Sequence, residues 1–139
     1  MEKVAQPWDK VMQAYYKQAV RENKKRDEEN KAYAEVFGGI GIRHTCEELR
    51  QIFLNGGVII DVRNPAEHNS GGKIHNAVNV PVMNILRWCD LREGMTENTP
   101  ILVYSDSGNL ANTAKVDLEK HGYKNVTNIG SHKWYNLCS

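Results

Sequence analysis

The sequence predicts an α/β fold built on a mainly parallel sheet. Two observations carry this. After residue 41, short apolar runs rich in β-branched residues alternate with stretches of helical periodicity. The runs are apolar throughout rather than at every second position, which marks strands buried on both faces by crossover helices. Glycine and Asn-Pro punctuation separates the segments.

In chain order, residues 1–36 read as helical. Pro7 suits a first helical turn. Val4, Trp8, Val11, Met12, Tyr15 and Ala19 share one helix face. The run 21–31 (RENKKRDEENK) mixes both signs of charge, as a solvated helix face does. The glycines of 37–43 (FGGIGIR) then divide a helical arm, 1–38, from a domain, 39–139. The apolar stripe of the arm is expected to pack on its own domain. A second copy or a partner are the other candidates for covering it.

Within the domain, Thr45 and Glu48 form a capping box that opens a helix with Leu49, Ile52 and Phe53 on its apolar face. Gly56 and Gly57 close it. Residues 58–62 (VIIDV) are a buried strand, and Asn64-Pro65 starts a turn. Residues 77–80 read as a short strand, and 82–91 as a helix with Ile85, Leu86 and Cys89 inward. Residues 101–104 (ILVY) are a second buried strand, followed by a polar loop over 105–109. A helix over 110–121 ends at Gly122. A strand over 126–129 and a last helical turn with Trp134 complete the domain.

Composition narrows the function classes. The chain has 139 residues, room for one domain and an appendage. Its 18 Lys and Arg oppose 17 Asp and Glu, a net charge of +1. The arm holds eight positive and seven negative residues, so the remainder balances at ten of each. Neither part has the lopsided charge of a nucleic-acid or anionic-membrane binder. No apolar run reaches the ~18 residues of a transmembrane span. The opening MEKVAQPWDK has no apolar signal core, so a cytoplasmic location is expected. Cys46, Cys89 and Cys138 are odd in number, widely spaced and without a C-x-x-C pair. Free thiols in a reducing compartment are expected, with no metal site and no cofactor. Cys89 reads as a small core residue, and Cys138 as a bystander thiol near the end of the sequence.

In open α/β sheets, sites form beyond the carboxyl ends of the strands. Two places qualify, 61–63 and 105–110. The order of motifs around them is IIDVRNPAEH, KIHNAVNVP and ILVYSDSGNLANTAKVDLEKHGYKNVTNIGSHKW. It resembles the rhodanese (thiosulfate sulfurtransferase) domain. Asp61, Val62 and Arg63 match its D-V-R strand end. Ala77, Asn79 and Pro81 match its G-A-x-N-I-P segment. Ser107, Gly108, Ala114, Leu118, Gly122, Tyr123, Asn125, Val126, Gly130 and Trp134 match its last third. The resemblance covers roughly residues 40–137. It implies a five-stranded, mostly parallel sheet with helices on both faces.

The resemblance also implies a site. The family's loop carries a cysteine thiolate at a helix N-terminus, ringed by backbone N–H groups and basic side chains. The cysteine holds sulfur as a persulfide. In this chain Ser105 stands at the cysteine position. Asp106 stands at the first basic position and Leu110 at the second, so the loop reads S-D-S-G-N-L. A serine hydroxyl cannot form a persulfide and is barely ionised without a base. The Asp106 carboxylate opposes the helix-end field, an effect of about 0.3–1 kcal/mol. Asp61 and Arg63 are implied to be scaffold, with Glu67 as the matching ion-pair partner. Lys73 stands for a family histidine and Asn76 for a glycine; neither suggests new chemistry.

Two functional readings stay open. In the first, the domain is a catalytically silent binding or regulatory module. The loop Ser105, Asp106, Ser107, Gly108, Asn109, Leu110 is then a recognition surface for a protein partner or a small sulfur-containing anion, and the arm mediates partner contact or self-association. In the second, it is a sulfurtransferase whose nucleophile has been exchanged for serine. A serine hydrolase fits poorly. His121 lies roughly 20 Å along the following helix at 1.5 Å per residue, and no G-x-S-x-G elbow is present.

Overall fold

A computed structural model describes residues 40–138. The expected arm, 1–38, lies outside the described residues. After Ile40 to Ile42 the chain enters α1 (Cys46–Leu54), then β1 (Val58–Asp61), α2 (Pro65–Ser70) and β2 (Val78–Asn79). A 3-10 turn (Val82–Asn84) leads into α3 (Ile85–Leu91). β3 (Ile101–Ser105), α4 (Asn109–His121), β4 (Val126–Ser131) and a 3-10 segment (His132–Cys138) follow.

The strands form one parallel sheet in the order β2-β1-β3-β4. Alternate residues of each central strand face opposite sides of a sheet. Val58, Ile60, Ile101 and Val103 pack with Ile85, Cys89, Ala111, Ala114 and Leu118, the inward residues of α3 and α4. Ile59, Leu102 and Tyr104 pack with Leu49, Ile74, Ile129, Trp134 and Tyr135. Both faces are covered, which explains the unbroken apolar runs.

Local chemistry sets the element ends. Thr45 Oγ1 accepts the Glu48 N–H at 3.1 Å and the Glu48 carboxylate reaches back to the Thr45 N–H, the reciprocal box expected. Asn64 and Pro65 do more than start a turn. Asn64 caps α2 by accepting the Glu67 N–H at 2.9 Å, and Pro65 is its first residue.

Four strands are formed among the described residues, and a fifth is not seen there. Residues 40–42 place two backbone bonds instead, Ile40 N–H to Ser107 O at 2.8 Å and Ile42 N–H to Asn128 O at 2.9 Å. Gly41 between them holds φ of 138° against Gly130, so no ladder propagates. One expectation is corrected here: the cysteines are not all free. Cys46 and Cys138 form a disulfide across 92 residues, with Cα atoms 5.3 Å apart. The 3-10 segment returns the chain to the N-terminus of α1, a meeting that sequence spacing does not reveal. Cys89 is unpaired and fully buried, and burial pushes its thiol up to about 11, helped by the Asp90 carboxylate.

Candidate functional site

β3 delivers Ser105 to the carboxyl edge of the sheet, and the chain turns at once into α4. Ser105 is 1% exposed. Its Oγ accepts the Gly108 N–H at 2.9 Å and the Ala111 N–H at 3.3 Å. The hydroxyl oxygen thus sits in the concave face of the loop, where the first turn of α4 offers unpaired N–H groups. Gly108 makes this turn possible with φ of 89°.

Three ties hold the loop from outside. Asn128 Nδ2 donates to Gly108 O at 2.9 Å. Ser131 Oγ donates to Asp106 O. Ile40 N–H donates to Ser107 O. Asn128 also accepts the Gly130 N–H at 2.9 Å, where β4 bulges: Val103 pairs with Asn128 but Tyr104 with Gly130. One side chain therefore fixes both the bulge and the loop.

Asp106 is exposed at the mouth. Its carboxylate lies 3.0 Å from His132 Nε2 and 3.7 Å from Lys133 Nζ. The His132 hydrogen bond, ahead of the Lys133 charge, holds the carboxyl below its usual range despite some burial. Asn109 and Leu110 are exposed beside it, Leu110 by 43%.

At the end of β1, Arg63 forks onto Asp61, with Nη2 to Oδ2 at 2.7 Å and Nε to Oδ1 at 3.0 Å. Its backbone N–H also donates to Asp61 Oδ1 at 3.0 Å, and Nη2 donates to Gly72 O at 2.9 Å. His68 Nδ1 donates to Asp61 Oδ2 at 2.8 Å. The hydrogen-bonded ion-pair partner of Arg63 is Asp61 and not Glu67, whose charge also acts on the guanidinium. The Glu67 carboxylate accepts Asn64 Nδ2 at 2.6 Å at the cap of α2. Residues two apart at a strand end point to one side, so Asp61 reaches the guanidinium first. Asn79 Nδ2 locks the turn by donating to Asp61 O and Arg63 O. A Cβ placed on Gly71 would lie 2.9 Å from Arg63 Nη1 and 3.6 Å from His132 Cε1, so Gly71 separates this cluster from the loop's histidine.

The structure thus gathers Ser105 to Leu110 into one loop, with Asp61 and Arg63 at the adjacent strand end and Glu67 at the cap of α2, its charge acting on Arg63 without a hydrogen bond. Sequence reasoning missed Asn128, Ser131, His132 and His68. Only the polar Asn128 inside a buried strand was a visible signal. No described histidine hydrogen-bonds the Ser105 hydroxyl, and His121 instead meets Asp90 at the far end of α4, with Nε2 to Oδ2 at 2.7 Å. Among the described residues, no group of three or more His, Cys, Asp or Glu is placed to hold a metal ion. No helix among them is long and apolar enough to cross a membrane.

Gly108→Ala tests the loop. The left-handed backbone alone would cost about 1–3 kcal/mol with a Cβ present. That Cβ would also lie 1.9 Å from Ile40 O. A lower melting temperature and loss of amide protection at Ile40 are expected, read by calorimetry and hydrogen exchange. An unchanged Ile40 amide would contradict the packing described.

A parallel sheet with a strand-to-helix loop closing on residue 105 defines the class. Residues 45–137 match the rhodanese-like domain family, and the chain belongs to it. Solved structures agree. Reduced Bacillus anthracis CoADR-RHD is similar at 27% identity and a TM-score of 0.55, over 69% of this chain and 16% of that one. A thiosulfate sulfurtransferase from Pseudomonas aeruginosa is similar at 26% identity and a TM-score of 0.56, over 68% and 18%. The chain therefore spans under a fifth of either bacterial protein. The human single-domain sulfurtransferase TSTD1 shares the fold at 18% identity and a TM-score of 0.57, over 70% of this chain and 96% of that one. A comparison with curated proteins returned no match.

Proposed function

We propose that this rhodanese-like domain is a catalytically silent binding or regulatory module. The observation that carries the reading is the state of the loop. Ser105 fills the family's cysteine position, and its buried oxygen is already satisfied by two backbone N–H groups. An oxygen there offers no persulfide and has no described base to ionise it. The basic groups at the mouth, His132 and Lys133, face the chain's own Asp106 rather than an incoming anion. What remains is a firmly tied loop presenting Asp106, Asn109 and Leu110 to solvent, suited to contact with a protein partner. The arm supplies a second contact, to that partner or to another copy of the chain.

A second reading rests on one observation. The two N–H groups still point at the residue 105 side chain, as they would toward a sulfur carrier. This is the sulfurtransferase whose nucleophile has been exchanged for serine.

Intact mass after incubation with thiosulfate separates the readings. The oxidised chain is expected to gain no sulfur atom. Ser105→Cys is expected to load poorly, and Ser105→Cys with Asp106→Arg and Leu110→Arg to load better. Full loading and turnover by Ser105→Cys alone would favour the second reading. Turnover by the unaltered chain would overturn both.

A further inference from the structure

The Cys46–Cys138 disulfide lies away from the loop and has no part in the proposed function. Cys46 is the first residue of α1 and is exposed. Cys138 is half-buried against the Leu49, Ile59 and Ile74 face of the core. The preceding anchor of the 3-10 segment is Tyr135, 2% exposed, whose hydroxyl donates to Ile129 O and accepts the His44 N–H. Beyond it, Cys138 is tied by the disulfide and by the His75 N–H, which donates to Cys138 O at 2.8 Å. Both sulfur-bearing residues line a cleft of about 300 Å³ with Leu49, Phe53, Ile59 and Ile74.

The disulfide borders the core at Cys138 and is open at Cys46. The buried residues on the two faces of the sheet include neither Cys46 nor Cys138, and Tyr135 fixes the segment short of Cys138. Cys46 is the exposed end of the disulfide, and an exposed sulfur of a disulfide is open to attack by a thiolate, whereas a buried one is protected. Opening it would release one wall of the cleft while the sheet stands.

We propose that Cys46–Cys138 is a reversible thiol–disulfide exchange site for a dithiol reductant, and that its redox state opens or closes this cleft. A thiolate of the dithiol attacks Cys46 Sγ. The Cys46–Cys138 bond breaks, and Cys138 leaves as a thiolate that takes a proton from solvent. The second thiol of the reductant, deprotonated, then attacks its own sulfur in the mixed disulfide. Cys46 leaves and is protonated in turn. The chain gains two electrons and two protons, and the reductant becomes a disulfide.

The test equilibrates the full chain in glutathione buffers of graded potential and with dithiothreitol, under native conditions. Alkylation and peptide mapping then follow each cysteine. Cys46 and Cys138 are expected to become alkylated together while buried Cys89 stays protected, and to pair again when the reductant is removed. Hydrogen exchange is expected to show about tenfold more loss of protection at the His75 amide on reduction than the loss that β1 and β3 share through lower global stability. The variant Cys46→Ser with Cys138→Ser should reproduce that pattern without reductant. Three results would overturn the proposal: reduction only when the whole domain unfolds, failure to pair again, or a His75 amide that loses no more protection than β1 and β3.

Discussion

Asp61→Ala is expected to destabilise the domain by about 3–5 kcal/mol, the range for removing one partner of a buried ion pair. The carboxylate is fully buried and Arg63 is 2% exposed. Without Asp61 the guanidinium keeps Gly72 O and the Tyr104 ring, whose centroid is 5.9 Å away, but no counter-charge in contact. Solvation is too remote to replace it, and His68 loses its acceptor as well. Arg63→Lys should also be costly, because a single ammonium cannot reproduce the fork. Urea unfolding at neutral pH measures both. A loss below about 1 kcal/mol for Asp61→Ala would contradict a buried, mutually dependent cluster.

The same carboxylate sets an acid limit. Burial alone would raise its pKa, but hydrogen bonds from Arg63 and His68 outweigh that and hold it below the usual aspartate range. A depressed folded-state pKa means a contribution fully present above the unfolded value. It is lost as pH falls through the folded one. The stability difference between the unaltered chain and Asp61→Ala should therefore be flat near neutrality and shrink below about pH 4.

The strands were legible because a parallel sheet leaves its signature in composition. VIID and ILVYS are buried at every position, and only an apolar run can supply that. The capping box and Gly122 were legible because helix ends follow from local hydrogen bonding. The loop was legible as a segment, since a strand that becomes a helix within a few residues must turn at Gly108. What was hidden depends on residues distant in sequence. His132 reaches Asp106 across 26 residues, and Asn128 reaches Gly108 across 20. No periodicity encodes either meeting. Glu67 misled because the resemblance supplied a carboxylate near Arg63, while Asp61 was closer on the same strand end. Among the described residues Gly41 interrupts the extended run that Ile40 and Ile42 begin, so no strand forms there.

The cysteines misled for a related reason, and their removal carries the other large effect. Cys46→Ser with Cys138→Ser is expected to lower stability by up to about 4.6 kcal/mol, the chain-entropy figure for a loop of this length. The term acts on the unfolded chain, whose ends the disulfide holds together. A compact unfolded ensemble would reduce it, so the figure is an upper bound. At about 4–8 °C per kcal/mol for a domain of this size, the melting temperature should fall by up to about 18–37 °C. The folded state should change little, because neither sulfur lies in the sheet or among the fully buried core residues, and Cys138 only borders one core face. Amide shifts confined to residues near 44–47, 75 and 135–138 are expected, with β1, β3 and the Ser105 loop unmoved. Calorimetry and two-dimensional NMR on the double variant read the two parts separately. A large thermal loss with local shifts fits a cross-link set outside the core. Widespread shifts would mean that the disulfide shapes the sheet itself, and an unchanged melting temperature would mean that the pair does not form in solution.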